Sequence, residues 1–341
     1  MDFPTYPLAL PQKAPAHFDD DQRRAYNTCV AVQGLCDCAE EKDLIRARIL
    51  GWFLFSPPVP TARRDLAVQI NSCENKKVVV LELGEMWWQH FIRIFKRAGT
   101  PAPSEHPSRP SFEDQAFLQN QGRKAMNRAK LSGCVDEVSI QAGLVAAPAS
   151  NGSIPTRANT KLCHIIPQGF ISRQHDDDKR RWTGTCMAVL TRMTDDELPM
   201  YLYGPQIHRL ENVFTGTSLW HERFHNLRCY LEPQGILNKY KLKTLRDYEM
   251  GNVTIDLTSD DPDLPAPSPI LLAIHRSCAI VAHLAGAAKY MDLHPEEDGE
   301  DYAVLSGIKH ESPEDRVDFV RGICSRLDPD VVYGQSRWIV V

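Results

Sequence analysis

A short apolar segment with a histidine inside it, Cys163–Pro167 (CHIIP), is followed about fifty residues later by Asn212 and by the pair His221 and His225. The paired histidines are four residues apart, so on a helix they project from one face about one turn from each other. Two imidazoles in that arrangement can bind the same metal ion. The fold is therefore expected to bring a strand-borne histidine, His164, against a helix that carries two more.

Composition narrows the class of protein. A chain of 341 residues can form one to three domains with a large core. No run reaches the roughly 18 apolar residues of a membrane helix, and the first residues lack a secretory signal. We therefore expect an intracellular protein, nuclear or cytoplasmic, with reduced cysteines and no membrane partner. The net charge of −5 weighs against a strong nonspecific nucleic-acid binder but is compatible with a locally basic groove.

The pattern of apolar residues predicts an α+β fold in three parts: an N-terminal arm with helices (1–110), a mixed core (111–260) and a C-terminal helical cap (261–341). The first part is predicted to hold a Pro-rich arm (1–20) and helices over 40–55, 62–73 and 77–97, with Thr61 as an N-cap. A Pro-rich linker over 99–110 ends this part. The flanking helices are expected to pack on the core.

The core and the cap are predicted in less detail. In the core we expect a helix over 111–129, β structure over 131–145, a strand over 162–166, a helix or strand over 182–193, a helix from Ser218 that ends by Pro233 and Gly235, and a closing strand over 239–245. In the cap we expect an acidic hinge over 256–269 and helices over 270–291 and 313–327.

Each candidate residue has two interpretations. His164 is either a core histidine with its hydrogen bonds satisfied or a general base, since an imidazole titrates near neutral pH. Arg223, Arg228 and Arg181 are either solvated surface charges or contacts to phosphates. Asn212 alone would be a loop residue. The order of His164, Asn212 and the histidine pair is much less expected by chance than any of its members.

These residues resemble a known family. The segments CHIIP, IHRLENVFTGTSLWHERFHNLRCYLEP and LPAPSPILLAIHRSCAIVAHLAGAAKYMD are similar to HNH endonuclease domains, which have the ββα-metal (His-Me finger) fold, and in particular to HNH-domain proteins of filamentous fungi. The resemblance covers roughly residues 125–295, about half of the chain, and is strongest from Asn212 to Pro233. It implies a central ββα-metal core between the two helical regions.

The resemblance also implies roles for individual residues. His164 matches the general base, Asn212 the residue that orients the base or helps hold the site, and His221 the metal ligand on the helix. His225 matches the second helix ligand of colicin-type nucleases. The residue before the base is commonly a His or Asp that binds the metal, and here it is Cys163, whose thiolate suits zinc and is a poor ligand for Mg²⁺. The usual upstream Cys-x-x-(Thr/Ser)-Gly signature is reduced to residues 131–134 (LSGC).

The sequence is compatible with three functions. The first is a nuclease that uses Mg²⁺, Mn²⁺, Ni²⁺ or Zn²⁺ to hydrolyse the phosphodiester bonds of nucleic acid, with a homodimer as one arrangement. The second is an enzyme on the same fold that acts on a small-molecule substrate in fungal biosynthesis, with His164 as acid or base and the metal as Lewis acid, because a fold does not determine its chemistry. The third is a non-catalytic interaction protein.

Overall fold

The structure is a computed structural model that describes residues 7–37, 39–96, 160–167, 177–194, 202, 207–245, 254–257 and 264–294. The described residues all belong to one compact unit, Met1–His294, and residues 295–341 lie outside them. Helices and small antiparallel sheets both occur, so the fold is α+β. The predicted linker (99–110), the elements predicted over 111–129, 131–145 and 313–327, and the boundaries at 110 and 260 all lie outside the described residues.

A group of helices forms the first part of the chain. They are α1 (Asp20–Gly34), α2 (Glu41–Phe55), α3 (Pro60–Ser72), α4 (Lys77–Trp87), a π-helical turn (Trp88–Ile92) and α5 (Arg93–Lys96). Three predicted helices are thus confirmed, whereas α1 was not predicted. The N-cap prediction for Thr61 is wrong: α3 begins at Pro60, with Val59 before it. Proline suits the first helical position, because its missing N–H would have no partner there.

Aromatic side chains fill the core of this helical region. The ring centroid of Phe53 on α2 lies 4.9 Å from that of Trp87 and 5.1 Å from that of Phe91. Helices α2 and α4 approach closely at Gly84, where a Cβ would collide with the backbone of Arg46. Close approach of the backbones and edge-to-face ring contacts give this part a dense apolar interior.

The histidine segment combines two short strands and a helix. Strands β1 (Thr160–His164) and β2 (Val213–Thr217) pair antiparallel, with Cys163 opposite Phe214 and His164 opposite Val213. Helix α6 (Asp177–Arg192) lies between them in the chain, so the prediction of a helix or strand there resolves to a helix. Helix α7 (Ser218–His225) follows β2 directly and packs against both strands. A strand near 162–166 and a helix that begins at Ser218 are confirmed, although β1 ends at His164 and α7 ends at His225, well before Pro233.

A second sheet follows α7. Strands β3 (Cys229–Pro233), β4 (Lys239–Thr244) and β5 (Thr254–Asp256) are antiparallel, in the order β3-β4-β5. The strand predicted over 239–245 is confirmed, whereas β3 and β5 were not predicted. Strand β5 ends at Asp256, the first residue of the predicted acidic hinge.

Two helices close the described part of the chain. The single helix predicted over 270–291 is wrong, because α8 (Pro269–Ala285) and α9 (Ala287–Leu293) are bent by 75° about Gly286. Gly286 has a φ of 96°, a left-handed conformation that glycine adopts without a steric penalty, and a Cβ there would lie 3.0 Å from Pro7. Helix α8 packs against both α2 and β3. It therefore joins the helical region to the second sheet.

Among the described residues, no single helix has both the length and the apolar composition needed to cross a membrane. Helices α8 and α9 taken together meet the criterion by length and composition only.

Candidate functional site

The backbone that follows His164 is held by Asn212. The N–H of Ile165 donates to the Asn212 carbonyl oxygen (2.8 Å), and the N–H of Ile166 donates to Asn212 Oδ1 (2.8 Å). Nδ2 of Asn212 donates to the carbonyl oxygens of Ile166 (3.0 Å) and Ile207 (2.8 Å). The amide, only 1% exposed, thus uses one acceptor and two donors on backbone groups. Asn212 fixes the loop that directly follows His164, and its hydrogen bonds go to the backbone rather than to the imidazole.

His164 is paired with a histidine that sequence reasoning did not single out. Its Nε2 lies 2.8 Å from Nδ1 of His208, and both rings are nearly buried, at 8% and 3% exposed. In such a bond one nitrogen carries the proton and the other accepts, so the pairing couples the tautomers of the two rings. His208 lies four residues before Asn212, in the segment that resembles the family, and this proximity was the only signal available in the sequence.

His221 and His225 face the same side of α7. Their ring centroids are 4.2 Å apart, as expected for residues four apart on a helix. Nε2 of His225 is buried and has no hydrogen-bond partner among the described residues. A buried polar atom without a partner costs free energy unless another group binds it. This nitrogen is therefore available to a ligand such as a metal ion.

Helix α7 ends directly after this pair. The N–H of Arg228 donates to the carbonyl oxygen of Arg223 (2.8 Å), and that of Leu227 donates to Phe224 (3.0 Å). These two bonds form a Schellman motif, with Leu227 in the left-handed position at a φ of 57°. Leucine is unfavourable in that conformation, and burial of its side chain offsets the strain. The turn fixes the end of the helix at His225.

Burial and neighbouring charge both keep the imidazoles neutral. Burial, followed by electrostatic interaction with His208, His225 and His221, lowers the pKa of His164 to about 3. Burial and the charge of His221 likewise lower the pKa of His225 to about 4. The structure thus brings His164 within electrostatic range of both helix histidines. Neutral imidazole is the form that binds metals and the form that accepts a proton.

Cys163, the residue before His164, packs toward β2 and α7. Its Sγ packs over Gly216, where a Cβ would come within 3.2 Å of the sulfur and 3.3 Å of Trp220 Cβ. The thiol therefore fills the space between the sheet and α7. Its assignment as a metal ligand stays a prediction.

The three arginines predicted to contact phosphates come from different places along the chain. Arg223 lies two residues after His221, roughly 200° around the helix. Its charge acts on Cys229, whose pKa burial raises to about 12 and Arg223 partly lowers. Arg228 lies 3.7 Å from Glu222. Arg181 belongs to α6, and its side chain is outside the described residues. These assignments stay predictions, and the position of Arg223 does not favour a phosphate contact beside His221.

Helix α8 supports α7 from behind through His275. The His275 ring stacks on Phe224, with centroids 3.5 Å apart and planes 2° from parallel, and Nε2 of His275 is 3.1 Å from the Phe224 carbonyl oxygen. Burial lowers the pKa of His275 to about 3, the hydrogen bond to Phe224 opposes this shift, and the charge of His225 adds to it. A neutral His275 then donates from Nε2 and stabilises the last turn of α7.

Two imidazoles of this site could bind a divalent ion. Within the part of the chain that the structure describes, His, Cys, Asp and Glu side chains form no group of three or more that could hold a metal ion. Two such side chains, His221 and His225, lie together on α7, and Nε2 of His225 has no hydrogen-bond partner among the described residues. Water or substrate oxygens would complete the coordination, as is usual for Mg²⁺ and for open catalytic sites.

Comparison of this chain with protein-family models, with curated proteins and with solved structures found no match.

Proposed function

We propose that this protein is a divalent-metal-dependent nuclease of the HNH type, with β1, β2 and α7 as its ββα-metal core. The observation that supports it most is the electrostatic interaction of His164 with the helix pair His221 and His225, together with an unpartnered nitrogen on His225. This supports the prediction, made from their order in the sequence, that the three residues act together. A neutral imidazole beside a helix pair suited to a metal is the arrangement that metal-assisted hydrolysis needs.

His164 is the general base. Its Nε2 is engaged by His208, so Nδ1 is the nitrogen that takes the proton from the attacking water. For Nδ1 to hold a lone pair, the proton must be on Nε2, which then donates to Nδ1 of His208. The water oxygen forms a bond to phosphorus and the bond from phosphorus to the leaving sugar oxygen breaks. A metal ion bound by His221 and His225 would supply charge neutralisation at the phosphate and at the leaving oxygen.

His208 and Asn212 are positioning residues in this scheme. His208 orients the imidazole and fixes its tautomer, the part that a third group plays in nucleophile–base systems. Asn212 holds the loop, with its buried amide bonded to Ile166 and Ile207. Neither residue touches the reacting atoms. Each acts through the position of His164.

The test is digestion of supercoiled plasmid by the purified full chain with Mg²⁺, Mn²⁺, Ni²⁺ or Zn²⁺. We expect cleavage with at least one ion, abolition by a chelator and a loss of about 10²- to 10⁴-fold in His164→Ala. His17→Ala is the matched control, because His17 is an exposed histidine of the N-terminal region. Calorimetric titration should show metal binding that His225→Ala weakens. Absence of cleavage with all four ions would reject the nuclease.

Chemistry on a small molecule is the second candidate, and the depth of the site favours it. His164 is only 8% exposed, and Arg223 lies away from His221 rather than beside it. A buried base of this kind suits a compact substrate as well as a polymer. If this candidate is correct, the protein binds a metal through His225 and leaves plasmid intact.

A further inference from the structure

We propose that the hairpin formed by β3 and β4 is a docking element for duplex nucleic acid and that its tip, Ile236 and Leu237, wedges between stacked bases. The inference rests on the proposed nuclease function and names its substrate class. The two side chains are adjacent and are 60% and 75% exposed. Neighbouring apolar side chains on a polar surface often mark an interaction site.

The tip is held in a fixed conformation. The N–H of Gln234 donates to the carbonyl oxygen of Lys239 (3.0 Å). The N–H of Lys239 donates to the carbonyl oxygen of Ile236 (3.1 Å). Asn238 has a φ of 59°, and its carbonyl oxygen accepts from the N–H of Leu257 (2.9 Å). Both strands and the end of β5 therefore restrain the turn. A preorganised tip loses little conformational entropy on binding.

The outer face of the hairpin is rich in lysine. Along β4, Tyr240 and Leu242 are buried, so the alternating residues Lys239, Lys241 and Lys243 lie together on the opposite face. The three lysines place positive charge along the strand that leads away from the tip. A row of this kind can follow a phosphate backbone.

Among the described residues, this face carries more cations than anions, although the net charge of the chain is −5. Beside the lysines lie Arg276, 3.7 Å from Glu232, and Asp256, 3.5 Å from Lys239. Glu232 also lies 3.5 Å from Lys243. Four cations against two anions leave a charge of +2. These long ion pairs at partly exposed positions contribute little stability, so phosphates can replace the carboxylates.

An aromatic ring among the cations favours nucleic acid over a membrane. Tyr230 lies opposite Lys243 on this face, and the Arg276 guanidinium is 5.9 Å from its ring centroid. Aromatic side chains interleaved with cations suit bases and phosphates together. Wedges between base steps consist of single apolar side chains, whereas binding to a lipid surface uses a whole apolar helix face or a lipid anchor.

The hairpin begins next to the proposed catalytic helix. Strand β3 starts at Cys229, four residues after His225. At about 3.3 Å per residue, the four steps along β3 span roughly 13 Å, and the tip lies beyond them. Half a turn of B-form duplex is about 17 Å long. One duplex is thus long enough to reach both the histidines and the tip.

The experiment measures binding of the full chain to a short duplex that contains 2-aminopurine, in chelator so that no cleavage occurs. We expect the double substitution Ile236→Ser and Leu237→Ser to weaken binding about tenfold or more and to abolish the rise in 2-aminopurine fluorescence that reports unstacking. Leu35→Ser, at a 67% exposed position on the helical region, is the matched control and should bind as the unsubstituted protein does.

Charge is tested separately with Lys241→Ala. The slope of the logarithm of the binding constant against the logarithm of salt concentration should decrease by about 0.9, the value for one phosphate contact. Lys289→Ala, an exposed lysine on α9, is the control and should leave the slope unchanged. Thermal unfolding of each variant verifies that the fold is kept.

Two results would overturn the inference: equal duplex binding by the double variant and the unsubstituted protein, or tip-dependent binding to phosphatidylserine vesicles without duplex binding. Tip-dependent duplex binding without cleavage under any metal would keep this inference and reject the nuclease. Cleavage together with duplex binding that does not depend on the tip would keep the nuclease and reject this inference.

Discussion

The helical region (α1 to α5) and the histidine segment (β1 to α7) bond their buried histidines over different distances along the chain. In the helical region, His90 Nδ1 lies 2.9 Å from the carbonyl oxygen of Met86, four residues back. In the histidine segment, His164 pairs with a residue 44 positions away. Local bonds accompany a helix wherever it forms, whereas distant bonds require the whole segment to be folded.

The two regions contribute differently to the protein: one mainly to its stability and the other to the candidate site. The helical region has a packed aromatic core, and its stability comes from apolar burial. The histidine segment has short strands, a short helix and a network of buried polar groups, which is costly unless every member is satisfied. We therefore expect changes in the first region to act on stability and changes in the second to act on the site.

Truncation of a core ring in the helical region should have the largest effect. Phe53 is fully buried between Trp87 and Phe91. Phe53→Ala should lower the free energy of unfolding by about 3–5 kcal/mol through lost burial and the cavity left behind. Denaturant unfolding measures this, and cleavage per folded molecule should stay unchanged. The control Val68→Ala, at a position 42% exposed, should stay within about 0.5 kcal/mol.

Acid should destabilise the histidine segment next most strongly. In the folded chain the pKa of His164 is lowered to about 3, that of His225 to about 4 and that of His275 to about 3. An unfolded histidine titrates near 6.5, so between about pH 6.5 and 4 the unfolded state binds more protons. Stability is then complete above pH 6.5 and falls as the pH decreases, by at most about 1.4 kcal/mol per unit for each imidazole.

Urea unfolding in chelator at pH 7 and pH 5.7 measures the acid effect, for which we expect a loss of roughly 3 kcal/mol from the three imidazoles together. His275→Phe keeps an aromatic ring against Phe224 and should flatten the pH dependence. His17→Ala should leave it unchanged, because His17 is exposed. Equal stability at the two pH values would show that the imidazoles are not held neutral by burial.

Loss of the Asn212 amide should come third. Asn212→Ala removes three hydrogen bonds and leaves buried backbone groups of Ile166 and Ile207 unsatisfied. The cost should be about 2–3 kcal/mol, with a loss of cleavage because the loop of His164 is freed. Asn212→Asp keeps the acceptor for the Ile166 N–H and loses both donors, so thermal unfolding of the two variants separates the acceptor from the donors. Unchanged activity in the alanine variant would remove Asn212 from the site.

The pairing of His164 with His208 should have a smaller effect, on activity alone. His208→Leu removes the partner of Nε2 and should lower cleavage at least about tenfold, a part of what a general base contributes. His208→Asn, which can place an amide oxygen near the position of Nδ1, should recover most of the rate. Single-turnover cleavage and ¹⁵N NMR of the imidazole tautomers measure the two effects. Equal rates in the two variants would contradict a positioning role.

Prediction from the sequence succeeded where structure is local. Apolar periodicity located α2, α3 and the helical run from α4 to α5 to within one or two residues, since each carries its own pattern, although it did not show the π-helical turn inside that run. It failed at Gly286, because an apolar run continues through the bend and only contact with Pro7 reveals the turn. It also failed for β3, whose five residues are too few to distinguish a strand from a helix end.

The site could be predicted only in part for the same reason. The four-residue spacing of His221 and His225 is visible in the sequence because a helix has a fixed period. The partner of His164 is not visible, since no local rule connects residues 44 positions apart. Arg223 was chosen for its charge and proximity in sequence, whereas its direction around the helix depends on which face of α7 is buried.

Helix α8 packs against α2 and against β3, and its His275 stacks on Phe224 in the last turn of α7. A fragment that starts at Thr160 and stops at Asp256 would keep every candidate catalytic histidine but would expose Phe224 to water. The histidine segment is therefore not expected to keep its structure when it is moved alone into another protein. Its working geometry depends on a scaffold that comes from both ends of the described chain.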